Sequence, residues 1–588
     1  MDRKSIVILL ASVALIVLWQ PLMQKVYPPK IVSTNTLVAA TNQIGTNLSG
    51  TTNTGNMAVA TNAVPIAPMT NSAPEELISL TNELSIYTFT SHGGGLKMVE
   101  LRKYPAAIDC RKSVSGEYRL ASLNTQAPVP TLAILGVGES ETATFHLSRN
   151  GNTVRAERET TNGVVLIKEF QIGTNYLVNA KVRFENRSAQ TTTIPAHEIV
   201  VGTATPMSVK DESLTMGTFW FNGAKAEHTE TAWFANRSFL NCVGRTTEPR
   251  TEFQDGQTNV VWGAVHNQFF ALALVPKEPA AKFFARTVSL PPPSPADVAA
   301  EPKAVLHPQG IQSSLAYPAL TLTANQGMER HYTIYAGPKE YNNLARIGDD
   351  MKNELDLLMD FGRYFGFFAK MLLLSMNGLH AMGMSYALAI ILITVIIKAL
   401  FWPLTAASTR SMKRMQTLQP QMKAIAEKYK DDPMKKNQKT MEFMRENKVS
   451  PLGGCLPMVL QIPVFIGFYQ MIRSAIELRG ASFLWACDLS QADTVAHIAG
   501  FPINPLPLIY GATALWSSHL TPTAPGADPA QQKIMKFMPL MLLAFFYNMA
   551  AGLTLYWTVQ NLLTIAQMKM TNAKITPTAT GVAPKKKR

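Results

Sequence analysis

Residues 398–461 constrain this chain more than any other stretch. An apolar segment carrying a single cation, Lys398, gives way to a basic polar insert, and the chain then turns straight back into a second apolar segment. Segments of that length and composition match the hydrocarbon core of a bilayer, where an ionisable side chain is costly and marks a functional position. Any fold for this chain has to put one charge inside a membrane and a solvated insert directly beside it.

Apolar segments at about residues 386–403, 452–472, 498–516, 535–547 and 552–568, with one more at 6–19, lead to an expectation of six spans. The first could be read as a secretory signal, but Gln20-Pro21-Leu22-Met23 offers no small-x-small cleavage site, so an uncleaved anchor over residues 1–22 is expected. The net charge of +14 sits largely in the insert, in Arg3-Lys4 and in the Lys585-Lys586-Lys587-Arg588 end of a basic tail over 571–588. These clusters flank apolar spans, which is the positive-inside pattern, so it places them and both termini in the cytoplasm and argues against DNA as the partner. The last two spans are short and joined only by Asn548-Met549-Ala550-Ala551, which predicts a tight hairpin that thins the bilayer locally.

Between the anchor and the other spans the composition shifts twice. Residues 23–74, dominated by Thr, Asn, Ala, Ser and Gly, cannot bury enough apolar surface to order themselves and are expected to be a flexible linker. Over 75–338 the pattern has period two: Val178, Ala180, Val182 and Phe184 alternate with Asn179, Lys181 and Arg183, and residues 269–275 are continuously apolar. This predicts an all-β sandwich. Its seven histidines, His146, His197 and His331 among them, show no paired acid and base, so no active site is expected there. Cys110, Cys242, Cys455 and Cys487 form no CxxC or CxxH pair, which speaks against a metal site and leaves a Cys110–Cys242 bridge open in an oxidising compartment. Residues 339–382, helical over 341–359 and aromatic-rich over 361–379, are expected along the outer membrane interface. The fold class is thus a multi-domain integral membrane protein, with a polytopic α-helical core over 383–570 and a β-sandwich domain.

Lys398 lies five residues before Pro403, roughly 7 to 8 Å inside the hydrocarbon edge at 1.5 Å per residue. Its long stem could simply snorkel to the interface. Thr394, one turn earlier on the same face, with Gln461, Gln560 and Asn561 on later spans, supports a wet cavity, although each alone reads as a helix-packing hydrogen bond worth about 1 kcal/mol. In the insert, 405–450, Met412, Met415, Leu418, Met422 and Ile425 form one helical stripe. Asp432 is placed as N-cap with Pro433 at the first helical position, and Met434, Met441 and Met444 give a second stripe, together an antiparallel helical hairpin. The stripes either pack on each other or offer an adaptable surface to apolar partners. No nucleotide-binding loop, HExxH or GxSxG is present, so neither an enzyme activity nor a cofactor is expected.

Several motifs, in order, carry a resemblance over about residues 360–570: Phe401-Trp402-Pro403-Leu404-Thr405, Leu418-Gln419-Pro420, Asp431-Asp432-Pro433, Pro451-Leu452-Gly453-Gly454-Cys455-Leu456-Pro457, Asp528-Pro529 before Gln531-Gln532-Lys533-Ile534-Met535, and Ala551-Gly552-Leu553-Thr554-Leu555-Tyr556-Trp557. In these the chain resembles the YidC family of membrane protein insertases. The resemblance implies a bacterial inner-membrane protein with its large β domain in the periplasm. It implies a hydrophilic groove, open to cytoplasm and lipid, at Lys398, Thr394, Gln461, Gln560, Asn561, Tyr556 and Trp557. Nascent membrane proteins would be substrates, with the Sec translocon and its accessory subunits, the ribosome and the lipid bilayer as partners. This chain has Lys398 where many members have arginine, so the charge is a point charge without bidentate grip. A small-solute transporter would show inverted repeats, which are not found. An envelope scaffold would leave the polar spans and basic hairpin unexplained.

Overall fold

A computed structural model of the chain describes residues 74–108, 119–137, 144–208, 215–236, 248–300, 304–362, 365–430, 432–447, 456–498, 500–520 and 529–573. The expected anchor, the linker up to residue 73 and the basic tail from residue 574 lie outside these residues, as do Cys110 and Cys242. The chain divides into two compact units, Ile31–Met359 and one containing Asp360–Arg588.

The first unit is built on antiparallel sheets. The largest runs, in spatial order, Ala226–Glu230, Gly217–Phe221, Trp262–His266, Phe270–Pro276, Gly327–Pro338, Leu177–Asn186, Val164–Ile172, Thr153–Glu159 and His146–Asn150. A second joins Glu252–Asp255, Lys282–Ser289, Gln309–Tyr317, His197–Ala204 and Ile134–Leu135. A four-stranded meander covers Leu77–Thr81 to Leu120–Leu123. In Leu177–Asn186 every second side chain is buried, while Phe270–Pro276 is buried almost throughout, as the two sequence patterns require. The two larger sheets face each other: the Trp220 and Phe283 rings stack at 6.3 Å, and a methyl group on Gly263 would come within 2.9 Å of the Phe283 ring. The expected β-sandwich is therefore present.

Among the described residues, three short helices accompany the sheets: α1 (Thr231–Ala235), α2 (Pro295–Ala300) and α3 (Tyr341–Met351). The helix expected over 341–359 is interrupted, because Lys352 and Glu354 take φ of 54° and 51°, and it resumes as a 3-10 turn, Leu355–Met359. The Trp262 indole donates to the Asn353 carbonyl at 2.8 Å, so the break serves to dock this segment on the sandwich.

Two polar clusters inside the sandwich carry strong electrostatics. Arg286 donates to both Glu198 oxygens at 2.6 and 2.8 Å and to Glu252 at 2.6 Å, while the Ser314 hydroxyl also donates to Glu198. His197, 2% exposed, accepts from Arg330 at Nε2 (3.1 Å) and donates from Nδ1 to the Pro195 carbonyl (3.1 Å). Burial, aided by the Arg330 cation, pushes the imidazole pKa down to about 4. The unfolded chain, with its ordinary histidine near 6.5, then binds more protons between pH 4 and 6.5. Stability from this site is complete above pH 6.5 and falls as pH drops toward 4, by roughly 3 kcal/mol in all. In urea titrations of the full chain followed by sheet circular dichroism, His197→Gln should flatten this acid slope. An unchanged slope would assign the acid sensitivity to other groups.

The second unit is helical: α4 (Gly366–Ala381), α5 (Tyr386–Thr417), α6 (Gln419–Lys428), α7 (Pro433–Glu446), α8 (Leu456–Ser474), α9 (Pro505–Leu520), α10 (Pro529–Phe546) and α11 (Ala551–Ala573). Among the described residues, one helical stretch, Tyr386–Ser411, is both long and apolar enough to cross a membrane, and Phe537–Phe546 is a shorter apolar helix. Helices α4 and α8 meet at Gly467, where a methyl group would lie 2.8 Å from Phe368 Cβ; a small residue permits this approach.

The segment expected to span at 498–516 begins instead as a small hairpin, Ala496–Ile498 with Phe501–Ile503, and turns helical only at Pro505. The change has a local cause. The Asp493 carboxylate accepts from the Leu506 amide (2.7 Å) as well as from the Trp485 indole (2.9 Å), capping α9 from twelve residues upstream of its first residue, with proline at that first position. The same loop holds the α10–α11 turn: Asn504 Nδ2 donates to the Tyr547 carbonyl (2.6 Å), the Tyr547 hydroxyl to the Pro502 carbonyl (2.6 Å), and the Ala551 and Gly552 amides to the carbonyls of Gln491 (2.6 Å) and Leu489 (2.9 Å). Cys487, in this loop, is disulfide-bonded.

Candidate functional site

The apolar segment read at 386–403 ends at Pro403, but helix α5 itself runs through that proline to Thr417. Proline removes one backbone donor, freeing the Ala399 carbonyl, but a single missing bond does not end a long helix whose neighbours pack on it. The Thr405 hydroxyl donates back to the carbonyls of Phe401 (3.0 Å) and Trp402 (3.1 Å), reinforcing the backbone just beyond the proline.

Thr394 and Lys398 lie one turn apart on α5, 0% and 6% exposed. The Thr394 hydroxyl is satisfied within its own helix by the Ile390 carbonyl at 2.7 Å. Lys398 reaches across to α11, where Nζ donates to the Thr564 hydroxyl at 2.8 Å. Thr564 passes its own proton to the Gln560 carbonyl (2.7 Å), the Gln560 amide donates to Gln461 Oε1 (3.2 Å) on α8, and the Gln461 amide donates to the Tyr556 oxygen (2.5 Å) on α11. One polar chain therefore joins α5, α11 and α8. A second tie between α5 and α11 comes from Gln567, whose amide donates to the Thr405 hydroxyl (2.6 Å) and the Trp402 carbonyl (3.4 Å).

No carboxylate among the described residues stands within ion-pair distance of Lys398. A cation in an apolar helix with a hydroxyl as its partner is solvated by far less than water would supply, which leaves it available to an incoming anion.

The remaining residues of the set sit on the adjacent row of α11. Trp557 is enclosed by the rings of Phe465 (5.3 Å), Phe546 (5.5 Å) and Tyr510 (6.3 Å). Its indole N–H, Asn561 Nδ2 and Gln560 Oε1 have no hydrogen-bond partner among the described residues. Asn561 is thus not joined to the Lys398 chain. Thr564 and Gln567 were not anticipated: a threonine or glutamine in an apolar helix reads as a packing residue, and only the distances across helices distinguish these two.

Beyond α5, Asp432 caps α7 by accepting from the Lys435 amide at 3.0 Å, with Pro433 following it. Met415, Met422 and Met444 are buried together, with Leu418 and Phe443 packed on them. Met412 belongs to α5, but its side chain lies outside the described residues. Of the second stripe, Met444 is buried with the first, while Met441 and Met434 are 55% and 84% exposed. The face of α7 turned inward is centred between Phe443 and Met444, and at 100° per residue that leaves positions 441 and 434 roughly 110° to 130° round the helix.

Residues 378–578 match the family described as 60Kd inner membrane protein, and residues 77–374 match the YidC periplasmic domain. The membrane protein insertase YidC of Oleidesulfovibrio alaskensis is 32% identical over 523 residues, 85% of this chain and 88% of that protein. The protein of the same name from Syntrophus aciditrophicus is 28% identical over 603 residues, 97% of this chain and 99% of that one. A crystal structure of an active YidC insertase with its first transmembrane domain resolved covers 86% of this chain and 95% of its own, at 18% identity and a TM-score of 0.34.

Proposed function

The chain belongs to the YidC family of membrane protein insertases, and from that premise we propose that it inserts nascent membrane proteins into the bacterial inner membrane through a hydrophilic groove lined by Lys398 and its neighbours. In this reading the chain crosses the membrane six times, both termini and the α6–α7 hairpin are cytoplasmic, and the β-sandwich is periplasmic. The observation that carries it is the buried Lys398 ammonium, held by the Thr564 hydroxyl in the helix most suited to a membrane.

The physical task is to carry a hydrophilic flank past hydrocarbon, where one charged residue costs roughly 2.5 kcal/mol or more. The arriving apolar segment slides along the lipid side of α8 and α11. Its short polar tail enters among Lys398, Thr394, Gln461, Gln560 and Asn561. Electrostatic attraction offsets part of the tail's desolvation, and the segment then partitions into lipid by its own apolar surface. Lysine gives this attraction as a point charge, so acidic tails are gripped less tightly than by a forked guanidinium. Folding assistance to clients, work with the Sec translocon and its accessory subunits, and ribosome contact through the basic hairpin and tail belong to the same reading.

The experiment is insertion of a short-tailed single-span substrate into liposomes that contain this protein alone. Protease protection of the translocated tail well above that in empty liposomes is the expected result. Protection no better than in empty liposomes would refute autonomous insertion.

A further inference from the structure

The loop between α8 and α9 carries large apolar side chains that stay mostly exposed among the described residues. Leu484 is 75% exposed, Ile498 66% and Phe501 58%. Leu484 also holds a φ of 51°, a conformation a branched side chain adopts only at a cost, so the fold sustains this display rather than relaxing it. Ile498 and Phe501 are paired across the hairpin and project from its tip region. The hairpin cannot fold back to bury them, because Tyr547 and Asn504 pin it to the α10–α11 turn and the Phe501 ring lies 5.1 Å from that of Tyr547.

We propose that Leu484, Ile498 and Phe501 form an apolar wedge seated in the outer leaflet of the bilayer, at the boundary between headgroups and acyl chains. The inference rests on the membrane reading given above. Lipid is the occupant for three reasons. From Thr494 to Ala527 the sequence holds no Asp, Glu, Lys or Arg, and the acids between Leu484 and that stretch, Asp488 and Asp493, are buried, so no exposed carboxylate opposes immersion. The wedge is continuous in sequence with α9, whose Leu508 and Ile509 are 47% and 39% exposed and face outward in the same unit. A two-stranded hairpin has unpaired backbone groups on both edges, and His497 is exposed beside Ile498, which keeps the seat at the wet boundary and out of the hydrocarbon centre.

The test uses the full chain in phosphatidylethanolamine and phosphatidylglycerol vesicles, with a nitroxide placed singly at Ile498→Cys, Phe501→Cys, Leu508→Cys or Leu306→Cys, the last on the β-sandwich. Signal from the labelled parent without an introduced cysteine is subtracted. Power saturation compares collision with oxygen, which prefers lipid, against a nickel chelate, which prefers water. The expected oxygen-to-nickel ratios at 498 and 501 are several-fold above that at 306 and below that at 508. Ratios at 498 and 501 equal to that at 306, with 508 still in lipid, would overturn the wedge and leave the membrane reading standing. Exclusion of both agents at 498 and 501 would overturn it in favour of a protein surface, either a partner or a second copy. A water-like ratio at 508 itself would mean that the membrane reading has failed.

Discussion

Lys398→Ala should lower insertion of a substrate with an acidic tail by about tenfold, the factor that corresponds to losing roughly 1.4 kcal/mol of barrier reduction. That is a little over half of the ~2.5 kcal/mol that one charge costs at the centre of a span, a reasonable share for a cation that also loses its own solvation. The ammonium is fixed on α11 through Thr564 with no carboxylate neutralising it, so its field is available to an arriving anion. Lys398→Arg should keep insertion, since the charge persists. A substrate with an uncharged tail should lose much less with Ala than the acidic one. Liposome insertion of the two substrates by the three variants checks this, and equal losses for both tails would show that Lys398 acts by packing or water retention instead of by charge.

Arg286→Met should destabilise the β-sandwich by about 3 kcal/mol or more, because it strands Glu198 and Glu252 side by side without their shared cation. Side-chain exposures of 17% for Arg286, 19% for Glu198 and 25% for Glu252 put the trio beyond the reach of full solvent screening. Pairing with two carboxylates, against the opposing effect of burial, holds the guanidinium pKa above its ordinary value. Adding Glu198→Gln to Arg286→Met should recover part of the loss, since it removes one of the two stranded charges and their mutual repulsion, leaving the unpaired Glu252 and the packing defect. Thermal unfolding of the single and double variants decides between the two sources, and a double variant no better than the single would exclude charge as the cause.

The β-sandwich was legible because its two signals are local: alternation in Leu177–Asn186 and the continuous apolar strand Phe270–Pro276 follow from neighbours two residues apart. The polar residues of the candidate site were legible for a different reason, since Lys398, Gln461 and Gln560 stand out in apolar surroundings whatever their partners are. Sequence alone did not give the partners. Thr564 and Gln567 acquire their roles from α5, more than 160 residues away, and no periodicity encodes that distance. The continuation of α5 past Pro403 was not legible, because proline marks the end of the apolar span and the hydroxyl and packing partners that carry the helix through it are not encoded in periodicity. The hairpin before α9 escaped notice because an uncharged, apolar loop looks like the helix it precedes; the Asp493 cap that separates them is a long-range contact.

The unbroken course of α5 through Pro403 makes it a lever with a fulcrum. Met415, in the buried methionine cluster, lies twelve residues past the proline, about 18 Å of helix, while Lys398 lies five residues before it, about 7.5 Å. Rocking the unbent helix by roughly 10° about the proline would swing the cluster by about 3 Å but shift the backbone at Lys398 by only about 1.3 Å, a gearing near 2.4 to 1. On the proposed reading, large excursions of the hairpin as it meets arriving chains reach the ammonium as small adjustments, and the charge keeps its depth while the α6–α7 arm moves.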